Sequence, residues 1–140
     1  MRPRLVATLV SVAAVGGLGA ACGVVPGIGD APTPTEPLGP AAVYRNVGTG
    51  GDEAQLEGVV RIVDGCLYVD GPEESGRHFP YFPVTDTAWE DDTLVWNGGR
   101  YVDGDRISLA GGELGSGGLT DAVAPDGCDD SQGWVVAQRR

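Results

Sequence analysis

Glycine sets the first limit on this chain. Of 140 residues 24 are Gly, and from Ala41 to Arg140 they fall too often for any stretch to keep helical apolar spacing over three turns. What remains is a series of short β-branched and aromatic runs separated by turn dipeptides. Hydrophobic residues make up 41% of the sequence, enough to close one small core. The expected fold is therefore all-β: a small five- to six-stranded barrel, OB-like or a related Greek key, over residues 41–140.

The strongest local signal is Leu56 to Val63, Asp64-Gly65, then Cys66 to Val69. Asp-Gly between two such runs specifies a type I′ hairpin, because both turn residues need positive φ. That register sets Ile62 against Leu67 and Val60 against Val69 on one apolar face. On the other face lie Val63 beside Cys66 and Arg61 opposite Tyr68. Thr93 to Trp96, Asn97-Gly98 and Gly99 to Val102 form a second hairpin. Between the two hairpins, His78 to Val84 carries Pro80 and Pro83, which assigns it to a sheet edge or bulge. Arg106 to Ala110 and Gly133 to Gln138 complete the strands, and residues 119–124 give no clear signal.

The N-terminus reads as an address. Arg2 and Arg4 flank Pro3, Leu5 to Val15 is apolar and uncharged, and small residues lead through Ala20-Ala21 to Cys22. Basic, apolar, then small is the order of a secretory signal peptide. Cysteine directly after Ala-Ala matches a lipobox, although the usual Leu three residues before it is Gly19 here. Residues 1–21 are thus expected to be a lipoprotein signal peptide, with Cys22 the diacylated residue. Two alternatives stand beside it, an uncleaved anchor and ordinary cleavage into the medium. Uncharged residues run for 25 positions from Leu5 to Gly29, and roughly 20 span a bilayer, but six Gly and Pro26 interrupt them. All three routes place the remainder outside the cytoplasm, and the lipoprotein route holds it at the extracytoplasmic face of the cell membrane.

Cysteine arithmetic agrees. With Cys22 lipidated, Cys66 and Cys128 remain, and an oxidising compartment favours one bridge between them over two buried thiols. From Cys22 through Pro40, five prolines and no apolar periodicity describe a semi-rigid tether. Eighteen residues, Gly23 to Pro40, reach on the order of 50 Å.

Charge narrows the partners. Nine Arg and no Lys against 20 Asp and Glu leave −11, and without Arg2 and Arg4 seven Arg leave −13. Such a surface excludes nucleic acid, whose phosphates demand cationic partners. It favours a cationic ligand or another envelope protein, with the membrane engaged through lipid and the domain monomeric. One His and one Met exclude His-rich zinc and Met-rich copper sites, and no cofactor is expected.

Gly65-Cys66-Leu67, Val102-Asp103-Gly104-Asp105-Arg106-Ile107, Gly111-Gly112 and a late Cys128 before a final apolar strand form an ordered pattern. Over roughly Leu56 to Gln138 it resembles small actinobacterial lipoproteins built from a signal, a spacer and one β-barrel-like domain. Those relatives often carry Trp-Pro where this chain has Phe82-Pro83. The resemblance implies a fold and an envelope location and transfers no catalytic residue.

Candidate chemistry is sparse. Ser116 in Leu114-Gly115-Ser116-Gly117-Gly118 lacks the first glycine of a nucleophile elbow. His78, the sole imidazole, is read as a surface or rim residue, and a small hydrolase requires that it converge with two carboxylates in one pocket. Glu90-Asp91-Asp92, Asp103-Gly104-Asp105 and Asp126-Gly127-Cys128-Asp129-Asp130 offer oxygens suited to calcium. None follows the EF-hand spacing, since Leu114 falls where a loop starting at Asp103 needs its closing Glu. Tight turns themselves demand such residues. Outward aromatics near arginine remain as a candidate ligand face: Arg61, Tyr68, Trp96 and Arg100. The reading is a lipid-anchored binding or envelope-interaction module, with a small hydrolase or a calcium-stabilised structural domain as alternatives.

Overall fold

The computed structural model describes residues 31–45, 54–116 and 118–138. The signal segment 1–21, Cys22 and the first part of the 22–40 tether lie outside the described residues. Ten strands are present: β1 (Ala42–Tyr44), β2 (Ala54–Val63), β3 (Cys66–Asp70), β4 (Arg77–Pro83), β5 (Thr87–Glu90), β6 (Thr93–Trp96), β7 (Gly99–Tyr101), β8 (Arg106–Glu113), β9 (Ala122–Val123) and β10 (Gly133–Val136).

Five of them close a barrel in the order β10-β8-β2-β3-β4, with β4 pairing back to β10 in parallel. Numbered along the chain, the barrel strands run 1-2-3-5-4 around the circumference, which is the OB-like arrangement. The hairpin register is the expected one, Ile62 on Leu67 and Val60 on Val69. Its turn residues Asp64 and Gly65 have φ of 50° and 78°. Asn97 and Gly98 repeat that geometry at 50° and 76°. The Asn97 hairpin, however, lies outside the barrel. With β5 it forms a separate three-stranded sheet, β5-β6-β7. Leu94 and Trp96 of this sheet are buried in the same cluster as Phe82, Val60, Leu109 and Val136, so it covers the barrel core from the end where β4 finishes.

The expectation that His78 to Val84 lies at an edge is overturned, because β4 is bordered on both sides. Its pairing with β3 ends at His78, its pairing with β1 begins at Tyr81, and β10 lies along Phe79 to Tyr81 on the other flank. The Phe79 N–H donates to Gln132 O and the Val84 N–H to Tyr44 O. By alternation the Pro80 nitrogen faces the gap where β3 hands over to β1. The Pro83 nitrogen faces the β10 side, two residues past the last β10 partner. Neither proline removes a hydrogen bond the sheet requires, so the usual cost of central proline is absent.

Strand β8 runs through Gly111-Gly112 instead of ending there. Gly111 pairs with Val136, and a Cβ on it would sit 1.9 Å from Val135 O, so the close approach of β8 and β10 requires glycine. The folded body also begins before Ala41. Leu38 and Ala41 exchange backbone hydrogen bonds, the Leu67 N–H donates to Pro40 O, and Gly39 abuts the Trp89 ring. Pro34 and Pro40 are buried, so the last residues assigned to the tether are docked on the barrel.

Tyr44 ties β1 to β10 by donating its hydroxyl to Val136 O at 2.7 Å. Burial, aided by the Asp86 carboxylate, pushes its phenol from 10.0 up to about 12. The folded state therefore holds this proton more tightly than the unfolded chain. Its contribution is complete below pH 10 and is lost as pH rises through 10 towards 12. Urea midpoints should fall more steeply between pH 9.5 and pH 11.5 in the wild type than in Tyr44→Phe. Parallel pH profiles would remove Tyr44 from this role.

Candidate functional site

The outer face of β3 and β4 carries an aromatic row. Side chains alternate along β4, so Phe82 enters the main core while Phe79 and Tyr81 lie outside with Tyr68. The Tyr68 and Phe79 ring centroids are 5.6 Å apart, and those of Phe79 and Tyr81 5.3 Å. In OB barrels this surface meets ligands, and an exposed aromatic row there stacks bases. Here it is covered. Leu114, Leu119, Ala122, Ala124 and Cys128 pack onto it and make a second apolar cluster with Ala42, Tyr44 and Cys66. The Cys66–Cys128 disulfide pins the covering segment to the start of β3, with Cα atoms 5.7 Å apart. Beside it the Asp129 N–H donates to Tyr68 Oη at 2.9 Å. Burial, with the neighbouring Asp130 carboxylate, raises the Tyr81 phenol above its ordinary value.

The residues proposed as a ligand face do not share one surface. Arg61 and Tyr68 are cross-strand partners, as expected. Tyr68 is only 7% exposed, beneath the Arg77 guanidinium 5.2 Å from its ring centroid. Arg77 forks onto Asp70 at 2.6 and 3.0 Å, and Arg61 approaches the same carboxylate at 3.7 Å. The hydrogen bond from Arg77, with the charges of Arg77 and Arg61, holds the Asp70 carboxyl below its usual range. Trp96 is 6% exposed and packs edge-on to Phe82 in the main core. Arg100 stands on β7, paired with Glu90 at 3.2 Å. The hairpin pattern brings Arg61 to Tyr68, whereas Trp96 and Arg100 belong to the separate sheet.

The acidic runs serve turns. Asp91 and Asp92 are the central residues of the β5–β6 turn, with φ of 48° and 57°. Asp103 Oδ1 accepts from the Ile62 N–H, Asp105 Oδ2 from the Val102 N–H, and Asp129 Oδ1 from the Ser131 N–H. Among the described residues no group of three or more His, Cys, Asp and Glu side chains is arranged to hold a metal.

The barrel mouth opposite the three-stranded sheet is different in kind. It is framed by the starts of β2, β4 and β10 and the ends of β3 and β8. His78 is not a surface residue. It shares the inward parity of Phe82 and is 7% exposed. Its ring meets Trp134 edge-to-face, 6.0 Å between centroids. Both His78 ring nitrogens and Trp134 Nε1 are buried without a hydrogen-bond partner among the described residues. Leaving such groups unpaired costs roughly 1–3 kcal/mol each, so their clustering is informative. Over them opens a cleft of about 440 Å³ lined by Gln55, Glu57, Ser75, His78, Glu113 and Trp134. A smaller recess of about 180 Å³ continues along Ser131, Gln132 and Gly133. Sequence reasoning missed this site because its residues come from five separate segments. Only the solitary histidine was a signal.

His78 lines one cleft with Glu57 and Glu113, but Glu57 stands on the outward parity of β2, paired with Ser108. A nucleophile–base–orienter relay is not assembled there, since neither imidazole nitrogen contacts a carboxylate or a hydroxyl. Ser75 Oγ donates instead to Pro72 O at 3.0 Å. Ser116 lies in the loop after β8 and is exposed. Comparison of the chain with protein families, curated proteins and solved structures finds no match.

Proposed function

We propose that this protein is a lipid-anchored, extracytoplasmic β-barrel acting as a monomeric binding or envelope-interaction module. The observation that carries the reading is the Cys66–Cys128 disulfide. It suits an oxidising compartment, and it leaves Cys22, behind a basic and apolar leader, as the remaining cysteine of three. Two acyl chains on one cysteine suffice for stable anchoring. The acidic surface favours cationic partners and disfavours nucleic acid. The cleft of about 440 Å³ at the barrel mouth, of the size of small-molecule sites, supports the binding role.

Cys22→Ser is expected to move the protein from the membrane fraction to the medium, or to leave it as uncleaved precursor. Intact mass of the wild type should show a diacylglycerol on Cys22. An unmodified mature N-terminus at another residue overturns the anchor. A small hydrolase is a second reading, favoured by His78 and Glu113 lining one cleft. It requires turnover that His78→Gln abolishes.

A further inference from the structure

Residues 31–41 form a strap fastened to the barrel. Gly39, at a φ of 56°, turns the chain between Leu38 and Ala41, whose backbones exchange two hydrogen bonds. Leu38 and Ala41 pack in the main core cluster. Trp89 of the three-stranded sheet lies over the turn, where a Cβ on Gly39 would come within 2.5 Å of its ring. On the barrel side the Leu67 N–H donates to Pro40 O at 2.8 Å. Before the turn the chain runs beside β1, with Pro34 buried and Ala31 O accepting from Arg45 Nε at 2.9 Å. Arg45 follows Tyr44, the partner of Pro83, so Ala31 stands at the end of the barrel where β4 finishes. That is the end capped by the three-stranded sheet. The His78 mouth is at the other end, about 20 Å away along β4 at roughly 3.3 Å per residue.

We infer that in the anchored protein the capped end of the barrel is apposed to the bilayer and the His78 mouth faces away from it. This rests on the lipid-anchor reading and gives the anchored domain its orientation. Eight residues, Gly23 to Asp30, separate Cys22 from Ala31 and span at most about 30 Å. The docked strap thus removes much of the ~50 Å reach that eighteen free residues would have. With the capped end towards the lipid, the eight residues cover the gap with slack. With the mouth towards the lipid, they must first run about 20 Å back along the barrel. Only about 10 Å then remains, and a nearly taut chain forfeits its conformational freedom.

The test uses the mature, lipidated chain added to phosphatidylcholine vesicles that carry a fluorescent acceptor lipid. A donor dye is placed on Thr85→Cys, in the exposed turn after β4, or on Glu74→Cys, in the exposed turn before it. Intact mass checks that each variant keeps the Cys66–Cys128 bond. Energy transfer from position 85 is expected to exceed that from position 74 at least twofold. Inserting twenty Gly and Ser residues between Asp30 and Ala31 should bring the ratio close to one. Equal transfer at native length, or greater transfer from position 74, overturns the orientation. An unchanged ratio after the insertion overturns the short tether as its cause. In detergent micelles the wild-type Ala41 and Leu67 amides, which donate to Leu38 O and Pro40 O, should exchange at least a hundredfold more slowly than in an unfolded chain. Exchange at the unfolded rate overturns the strap. Failure of the wild type to float with the vesicles overturns the anchor itself, so the failures are distinguishable.

Discussion

Phe82→Ala is expected to lower stability by about 3–5 kcal/mol, the range for deleting a buried phenyl ring. Phe82 has no exposed surface, lies on the central strand β4 and stands 5.6 Å from the Trp96 ring across the junction with the three-stranded sheet. Its removal opens a cavity where neighbours from two sheets cannot both collapse inward, because each is held by its own ladder. At about 4–8 °C per kcal/mol for a domain of this size, the melting temperature should fall by on the order of 20 °C. The near-UV dichroism of the tryptophans should weaken in step as the cover over the core loosens. Chemical denaturation measures the loss directly. A cost under about 1 kcal/mol is incompatible with one core shared by barrel and sheet.

Removing the bridge with Cys66→Ala/Cys128→Ala should cost about 2–5 kcal/mol. The bond closes a separation of 62 residues, and the chain-entropy relation gives about 4 kcal/mol for a loop of that length. It also pins the segment between β8 and β10 over Tyr68, Phe79 and Tyr81, a long connection with only the two-residue β9 of its own. Without it, tyrosine accessibility on this face should rise before global unfolding, since the cover opens locally. Thiol titration under denaturing, non-reducing conditions supplies the parallel check. Free thiol at Cys66 and Cys128 in the mature protein contradicts the bond.

Much of the barrel was legible because hairpins are local. Asp64-Gly65 and Asn97-Gly98 carry the backbone requirement of a type I′ turn in two residues, and the period of two then sets the register without long-range information. The turn at Asp91-Asp92 is legible too, but its role as the link of a further hairpin was lost, because the strand before it has only four residues. With it went β5, and with β5 the recognition that the second hairpin belongs to a separate sheet. The short strands β1 and β9 have two or three residues each, too few for any periodicity to register.

Acting alone, the sequence determined an all-β body, two hairpins with the register of the first, and, with Cys22 set aside, the pairing of Cys66 with Cys128. Each depends on backbone limits of single residues or on the small number of cysteines. Tertiary structure decided where β4 lies, what Tyr68 and Trp96 face, and that His78 stands inside the barrel mouth. Proline in a strand costs only what its nitrogen would otherwise have donated, and that depends on which neighbour lies opposite Pro80 and Pro83. The cleft likewise exists only once barrel closure brings Gln55, Ser75, His78, Glu113 and Trp134 together. These residues are up to 79 positions apart, and closure is a property of all five barrel strands at once.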